Sequence, residues 1–189
     1  MDLFQSFQRE CPAPAALCEK YASALPPELL NVWRDYGFGT LLDGCLKIIN
    51  PDEYQDLLRD TYALGDSAIP VFATAFAGLL TWEKGRYLRF VNYQSGTFEG
   101  VCAGLKFFWG DLADGVFNDR FLELAQYREA VQTLGPLGFD ECFGYAPLSA
   151  LGGSRDARHL RKYRLREHIA FIAQSAGSVS KPYSGSGIV

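Results

Sequence analysis

The stretch that decides the fold is IPVFATAFAGLLTWE, at residues 69–83. Two apolar runs meet at Gly78, a residue suited to a tight turn, and this arrangement predicts a β-hairpin. The run from Ile69 to Leu80 is too short to cross a bilayer, which takes about 20 apolar residues. Further strands are expected next to the hairpin in both directions. We predict strands at 45–49, 69–76, 79–84, 86–93 and 97–103.

Proline and capping residues mark the helices of the first half. Pro27 and Pro51 suit a first helical turn, where the missing N–H has no partner to lose. Asn50 is a good N-cap for the second of these helices, and Gly37 suits the end of the first. We predict helices at 14–24, 27–36 and 51–63.

The second half adds fewer elements. We predict a helix at 119–134, a short strand near 142–146, and a last helix that begins at about Ala157 or Leu160 and ends at Ala176. No parallel βαβ rhythm is evident, so the sequence predicts an α+β fold: a mainly antiparallel sheet with flanking helices, plus a smaller helix-rich C-terminal domain. The expected division is 1–110, 111–177 and a flexible tail at 178–189. Three aromatic residues near the first boundary are expected to pack the two halves together: Phe107, Phe108 and Trp109.

The charge is unevenly distributed. The net charge is −4, and residues 1–100 carry 8 Lys and Arg against 13 Asp and Glu, whereas residues 101–189 carry 10 against 9. An acidic half argues against a general nucleic-acid binder, whose affinity depends on phosphate neutralisation. It suits a partner with a basic surface, although a solvated surface of an ordinary cytosolic protein would look similar.

The sequence contains no motif for catalysis, a metal or a cofactor. The five cysteines are widely spaced without a Cys-x-x-Cys, and neither a phosphate loop nor a Gly-x-Ser-x-Gly or His-Glu-x-x-His motif occurs. Cys142 and His168 could in principle form a nucleophile–base pair, but no family signature surrounds either residue. We therefore predict no catalytic residues, no metal site and no cofactor.

Two constellations are candidates for binding a partner. The spacing of Asp52, Asp56 and Asp60 puts them on one face of a helix. This face either binds a basic partner or is simply exposed to solvent. The second group lies on a predicted loop at 109–115 and just beyond it, and it comprises Trp109, Asp111, Asp114 and Asp119. Trp109 is an interface anchor in one interpretation, and in the other it packs the two domains together.

A basic stretch points to a different partner. Six cationic residues crowd one short segment: Arg155, Arg158, Arg161, Lys162, Arg164 and Arg166. A basic helix can bind nucleic acid, but it can equally contact acidic residues of the first domain. We treat nucleic-acid binding as a minor alternative.

Three segments carry a family resemblance. They are LPPE at 25–28 with the helix that follows, DECFGYAP at 140–147, and LREH at 165–168. With the hairpin, their order resembles the GAD-like domain and the small C-terminal domain of type VI secretion immunity proteins, from about Pro14 to Gly177. The resemblance implies a non-enzymatic protein that binds a cognate secreted DNase toxin, expected as a 1:1 complex, by covering or distorting its active site.

Two further expectations accompany that resemblance. Met1 to Gln5 lacks the basic and apolar start of a secretory signal, so a cytoplasmic location without membrane or direct nucleic-acid contact is expected. The alternative function is a cytosolic interaction or regulatory module with a partner that is not a nuclease.

Overall fold

A computed structural model describes residues 3–184 of the protein. The α-helices are α1 (Ala15–Lys20), α2 (Pro27–Asp35), α3 (Pro51–Thr61), α4 (Phe108–Ala113), α5 (Leu124–Leu134) and α6 (Leu165–Ala176). The strands are β1 (Gln8–Cys11), β2 (Phe38–Leu41), β3 (Leu46–Ile48), β4 (Ala68–Thr74), β5 (Gly78–Glu83), β6 (Tyr87–Asn92), β7 (Thr97–Ala103), β8 (Glu141–Tyr145), β9 (Leu160–Arg164) and β10 (Lys181–Pro182). The predicted α+β class with a mainly antiparallel sheet is confirmed.

Eight strands form one sheet in the order β1-β2-β3-β4-β5-β6-β7-β10. The first seven form an antiparallel meander, and β10 adds to β7 in parallel. β8 and β9 form a separate antiparallel pair. The backbone N–H of Phe143 in β8 donates a 2.7 Å hydrogen bond to the carbonyl of Ala75, which places this pair beside the turn between β4 and β5.

The central strands are buried on both faces. Phe72, Leu80 and Phe90 lie in register across β4, β5 and β6 and belong to one core, whereas their neighbours Ala73, Leu79 and Val91 belong to the other. Because side chains alternate along a strand, a strand buried on both faces shows a continuous apolar run. This explains the run at residues 69–83.

The helices of the second half lie on both faces of the sheet. Buried residues of α4 and α5 share the first core with α1 and α2, and buried residues of α6 share the second core with α3. The Nζ of Lys47 in β3 donates hydrogen bonds to the carbonyls of Gly138, Phe139 and Glu141, which lead into β8. The second half is thus built around the sheet of the first.

The predicted last helix is wrong at its start. Residues 160–164 form β9, and α6 begins at Leu165. Leu160 packs in the first core and Tyr163 against the second, so the segment uses the alternation of a strand and not the period of a helix. The predicted helix at 119–134 begins only at Leu124, and β1, β2 and α4 have no counterpart among the predicted elements.

The segment predicted as a flexible tail begins with packed residues. Val179 is 1 % exposed, and its backbone exchanges hydrogen bonds with Thr61 and Ala63. Lys181 and Pro182 then pair with β7, the strand predicted at 97–103. Apolar burial of Val179 and the free edge of β7 together hold this segment. The rest of the predicted tail, residues 185–189, lies outside the described residues.

Candidate functional site: an acidic and apolar surface on the fourth helix

The aspartates of α3 lie on its exposed face, as the helical spacing predicted. Asp52 is already engaged: its Oδ1 accepts hydrogen bonds from Lys20 Nζ at 2.6 Å and from the Tyr21 hydroxyl at 2.7 Å. The hydrogen bond from Lys20 holds the pKa of Asp52 below its usual value. Asp56 pairs with Arg59 at 2.9 Å, one turn along the helix. Two of the three α3 carboxylates predicted to bind a partner are therefore paired with cations of the same chain.

A polar cleft of ≈ 410 Å³ lies beside this helix face. Asp52, Asp56, Arg59 and Lys20 all line it, but Asp60 does not. Asp60 lies toward the C-terminal segment, because its backbone carbonyl accepts a hydrogen bond from the Ser178 hydroxyl at 3.0 Å. The three aspartates thus share a helix face without sharing one site.

The predicted loop at 109–115 is mostly the helix α4. Its inner side is fixed by Phe108 and Leu112, each 2 % exposed. The Phe108 ring lies 5.5 Å from that of Phe117 and 5.4 Å from that of Phe72, centroid to centroid. These contacts attach the short helix to the sheet and determine which of its residues point outward.

The outward side of α4 combines apolar and acidic side chains. Phe107 is 70 % exposed and Val116 is 62 % exposed, and in the same segment Asp114 is exposed and Asp111 is half-buried. The N–H of Asp111 bonds to the carbonyl of Phe107, and the N–H of Val116 bonds to the carbonyl of Asp111, so the segment is compact. Within residues 3–184 neither carboxylate has an ion pair. We call these residues, Phe107, Asp111, Asp114 and Val116, the α4 surface.

One cation accompanies the α4 surface. The Nζ of Lys106 lies 5.2 Å from the centroid of the Phe107 ring, in the geometry of an exposed cation–π contact. Such a contact is worth about 0.5–1 kcal/mol at an exposed site. It leaves the ring largely open to solvent, and the carboxylates stay free of direct partners in the described chain.

The prediction that Phe107, Phe108 and Trp109 all pack the two halves together is wrong for Phe107 and fits Trp109. Phe107 was predicted to pack the two halves together, but it is the residue just before α4 and is 70 % exposed. Trp109, considered as an interface anchor, instead packs inward against Phe4, Phe72 and Phe108, with ring centroids 5.1–5.7 Å apart. Its burial follows from α4 being a helix, since Phe108 and Trp109 then lie over the sheet and Phe107 does not.

Asp119 lies in a different environment from Asp111 and Asp114. It lines a cleft of ≈ 340 Å³ with Glu99, Arg120, Glu123 and Arg155. Arg120 is paired with Glu99, and Arg155 with Glu123. The structure therefore keeps Asp111 and Asp114 within the α4 segment, at the helix and its C-cap, and places Asp119 beside a set of ion pairs further along the chain.

Cys142 and His168 are not arranged as a nucleophile and its base, because the Nε2 of His168 has no hydrogen-bond partner within residues 3–184. Cys142 is fully buried, and burial raises the pKa of its thiol to about 12, so the thiolate is scarce at neutral pH. Burial lowers the pKa of His168 to about 4, and its ring stacks on Tyr163 with centroids 4.3 Å apart. Both side chains serve the packing of β8, β9 and α6.

The basic stretch from Arg155 to Arg166 is not a helix face. Three of its arginines pair with acids of this chain: Arg155 with Glu123, Arg158 with Asp156, and Arg164 with Asp140. Lys162 donates to the Pro136 carbonyl, and the Arg166 guanidinium lies over the Tyr54 ring. These contacts favour the alternative in which the basic residues bind other residues of the same chain, and not nucleic acid.

Two other kinds of site are absent from the described residues. Among residues 3–184, no cluster of three or more His, Cys, Asp or Glu side chains is placed to hold a metal ion. In the same part of the chain, no helix combines the length and the apolar character needed to cross a membrane.

Comparisons with known proteins match most of the chain to two family models. Residues 1–94 match the family model of the GAD-like domain, and residues 103–175 match that of the C-terminal domain of the type VI secretion (T6SS) immunity protein Tdi1. This chain belongs to the type VI secretion immunity proteins. The resemblance inferred from the sequence is thereby confirmed. The α4 surface lies within the Tdi1-type part of this immunity protein.

A solved structure supports the fold. The crystal structure of Atu4351 from Agrobacterium tumefaciens superposes with a TM-score of 0.70 at 18 % sequence identity, over 92 % of this chain and 88 % of that chain. A search of curated proteins found no match. Membership of the immunity proteins implies that the partner of this chain is a protein toxin.

Proposed function

We propose that this immunity protein binds a cognate secreted nuclease toxin in the cytoplasm, as a 1:1 complex, and blocks its access to DNA. In this proposal the protein inhibits the toxin by binding alone and is not itself an enzyme. The observation that carries the proposal is the α4 surface, where an exposed phenylalanine lies beside two carboxylates without ion pairs in the described chain. That the partner is a nuclease follows from the family resemblance.

The charge of the α4 surface suits a nuclease. A DNA-binding groove presents Lys and Arg where phosphates lie, so carboxylates placed there meet cations already in position. Opposite charges also steer the two proteins together and speed their encounter. Asp111 and Asp114 can gain partners in this way, whereas Asp52 would first give up its bonds to Lys20 and Tyr21.

The apolar part of the surface supplies affinity. Phe107 is the most exposed of the large apolar side chains described, and Val116, also exposed, belongs to the same short segment. Aromatic side chains at the centre of an interface carry a large share of the binding energy when they enter a pocket on the partner. An exposed aromatic ring with an acidic border therefore fits a protein interface better than a purely solvated helix.

The test compares the two acidic surfaces with matched variants. One variant carries Asp111→Asn and Asp114→Lys, and the other carries Asp52→Asn and Asp56→Lys, so that each changes net charge equally. The probe is a catalytically inactive form of the nuclease toxin encoded beside this chain. We expect the α4 variant to associate roughly tenfold more slowly at low salt and to lose most of its salt dependence.

The outcomes separate the alternatives. Circular dichroism controls for folding of both variants. If the α3 variant is the slower one, the interface lies on α3. If wild-type protein does not bind the toxin, or binds it without stopping DNA cleavage, the proposed function is wrong.

A further inference from the structure

A small cleft adjoins the C-terminal end of α4. Its volume is ≈ 180 Å³, and its walls come from both halves of the chain: Leu3 and Leu42 on one side, Ala113 and Leu124 on the other. The next residue after Ala113 is Asp114 of the α4 surface. The cleft thus shares the α4 segment with the surface proposed to meet the toxin. We call it the turn cleft, after the turn at residues 42–44 that forms one wall.

The turn has an unusual backbone. Leu42, Asp43 and Gly44 all have positive φ, at 51°, 57° and 100°. A left-handed conformation is unfavourable for a residue with a Cβ, and two such residues in succession are rare outside turns held by their surroundings.

The second half of the chain holds this turn in place. The Tyr127 hydroxyl on α5 donates a 2.6 Å hydrogen bond to the Asp43 carbonyl. A Cβ on Gly44 would lie 2.7 Å from that same hydroxyl oxygen, so only glycine fits. Packing against α5 therefore fixes a turn that the local sequence would not adopt unaided. The result is a preformed wall that presents Leu42 to the cleft.

The size of the turn cleft limits what it can take. A cavity of about 150 Å³ in another protein holds one benzene molecule, and pockets for drug-sized ligands and cofactors start at about 300 Å³. A volume of ≈ 180 Å³ corresponds to one aromatic ring. The leucine and alanine side chains in the walls suit such a ring better than a polar ligand.

The rim of the cleft carries one charge of each sign. Asp43 and Arg128 line it, both are exposed, and neither has an ion pair within residues 3–184. A protein segment that carries its own charges beside the aromatic residue can pair with both. A lone apolar small molecule would leave both rim charges without a partner.

We propose that the turn cleft takes one aromatic side chain of the toxin, as an anchor at the edge of the α4 surface. This inference rests on the proposed function and names a second contact within it. Asp43 and Arg128 pair with charged residues that flank the anchor. Because the wall is preformed, little conformational freedom is lost when the side chain enters.

The test fills the cleft without touching the α4 surface. Ala113→Trp places a large side chain in the cleft, and Ala125→Trp places the same side chain on α5 at an exposed position outside it. The probe is the inactive toxin used above, and affinity is measured by calorimetry. We expect Ala113→Trp to weaken binding about tenfold or more and Ala125→Trp to change it less than about twofold.

A second variant separates binding from stability. Leu42→Gly suits the positive φ of the turn but removes a cleft wall, so we expect stability close to wild type together with weaker toxin binding. If folded Ala113→Trp protein binds as tightly as wild type, the cleft is not an anchor site. The proposed function still holds in that case if the charge variant of α4 binds more slowly. If wild-type protein dimerises and Ala113→Trp disperses the dimer, the occupant is a second copy and the inference is wrong.

Discussion

The ammonium of Lys47 lies 2.8 Å from the carbonyl oxygen of Gly138, across the boundary between the two family domains. The same Nζ also bonds to the carbonyls of Phe139 and Glu141, and the side chain is fully buried. Burial lowers the pKa of Lys47 to about 8, so the group is largely protonated at neutral pH. Three donors thus meet three acceptors, and the strand β8 is fixed to the sheet.

We therefore expect Lys47→Met to destabilise the whole protein. The substitution leaves three partly buried carbonyls without this donor. Each loss costs up to about 1–3 kcal/mol, and the removal of a buried charge offsets part of it. We expect a net loss of about 3 kcal/mol in the free energy of unfolding, measured by urea denaturation. Lys84→Met, at an exposed position, is the control. A loss no larger than that of the control would contradict this role.

A second prediction concerns the contact between β8 and α6. A Cβ on Gly144 would fall far inside van der Waals contact with the imidazole of His168. We expect Gly144→Ala to cost about 1–3 kcal/mol of stability through overpacking. Gly100→Ala is the matched control, because nothing lies within 4 Å of its Cβ position. Thermal unfolding checks both, and His168→Ala should relieve part of the loss in the double variant. Equal melting temperatures for Gly144→Ala and Gly100→Ala would contradict the contact.

A third prediction concerns pH. Burial lowers the pKa of His168 from 6.5 to about 4, so between these values the unfolded state binds more protons than the folded state. Its contribution to stability is complete above pH 6.5 and is lost as the pH falls toward 4, to a total of about 3 kcal/mol. We expect denaturation at pH 7 and pH 5 to show a smaller pH dependence for His168→Leu than for wild type. An equal pH dependence for His168→Leu and wild type would contradict the assignment.

A fourth prediction concerns Phe107. Because its ring is mostly exposed, Phe107→Ala should leave stability nearly unchanged and weaken toxin binding about tenfold or more. Phe171→Ala is the control, since Phe171 is 56 % exposed on α6 and lies outside the α4 surface. Surface plasmon resonance with the inactive toxin measures both. Equal affinity for the two variants would exclude Phe107 from the interface.

Local signals made much of the fold predictable from sequence. The predicted strand at 97–103 is confirmed in full, and α3 begins at Pro51, where Asn50 Oδ1 accepts the N–H of Asp52. Gly78 was predicted as the turn residue of the hairpin, but it is the first residue of β5. There a Cβ would collide with the ring of Phe90, so the glycine serves a long-range contact.

The elements that escaped prediction depend on partners distant in sequence. β1 is exposed along its length and is defined by pairing with β2, and β10 is defined by pairing with β7. The α4 surface was only half predictable for the same reason. The acidic residues Asp111 and Asp114 are visible in the sequence, but the outward position of Phe107 depends on how Phe108 packs against Phe72 and Phe117.

The most direct measurement is a titration of the nuclease activity of the cognate toxin with this protein. DNA cleavage is followed at a toxin concentration well above the dissociation constant. We predict that cleavage falls linearly and stops at one equivalent of wild-type protein, and that the variant with Asp111→Asn and Asp114→Lys requires an excess. Undiminished cleavage in the presence of several equivalents of folded wild-type protein would contradict the account.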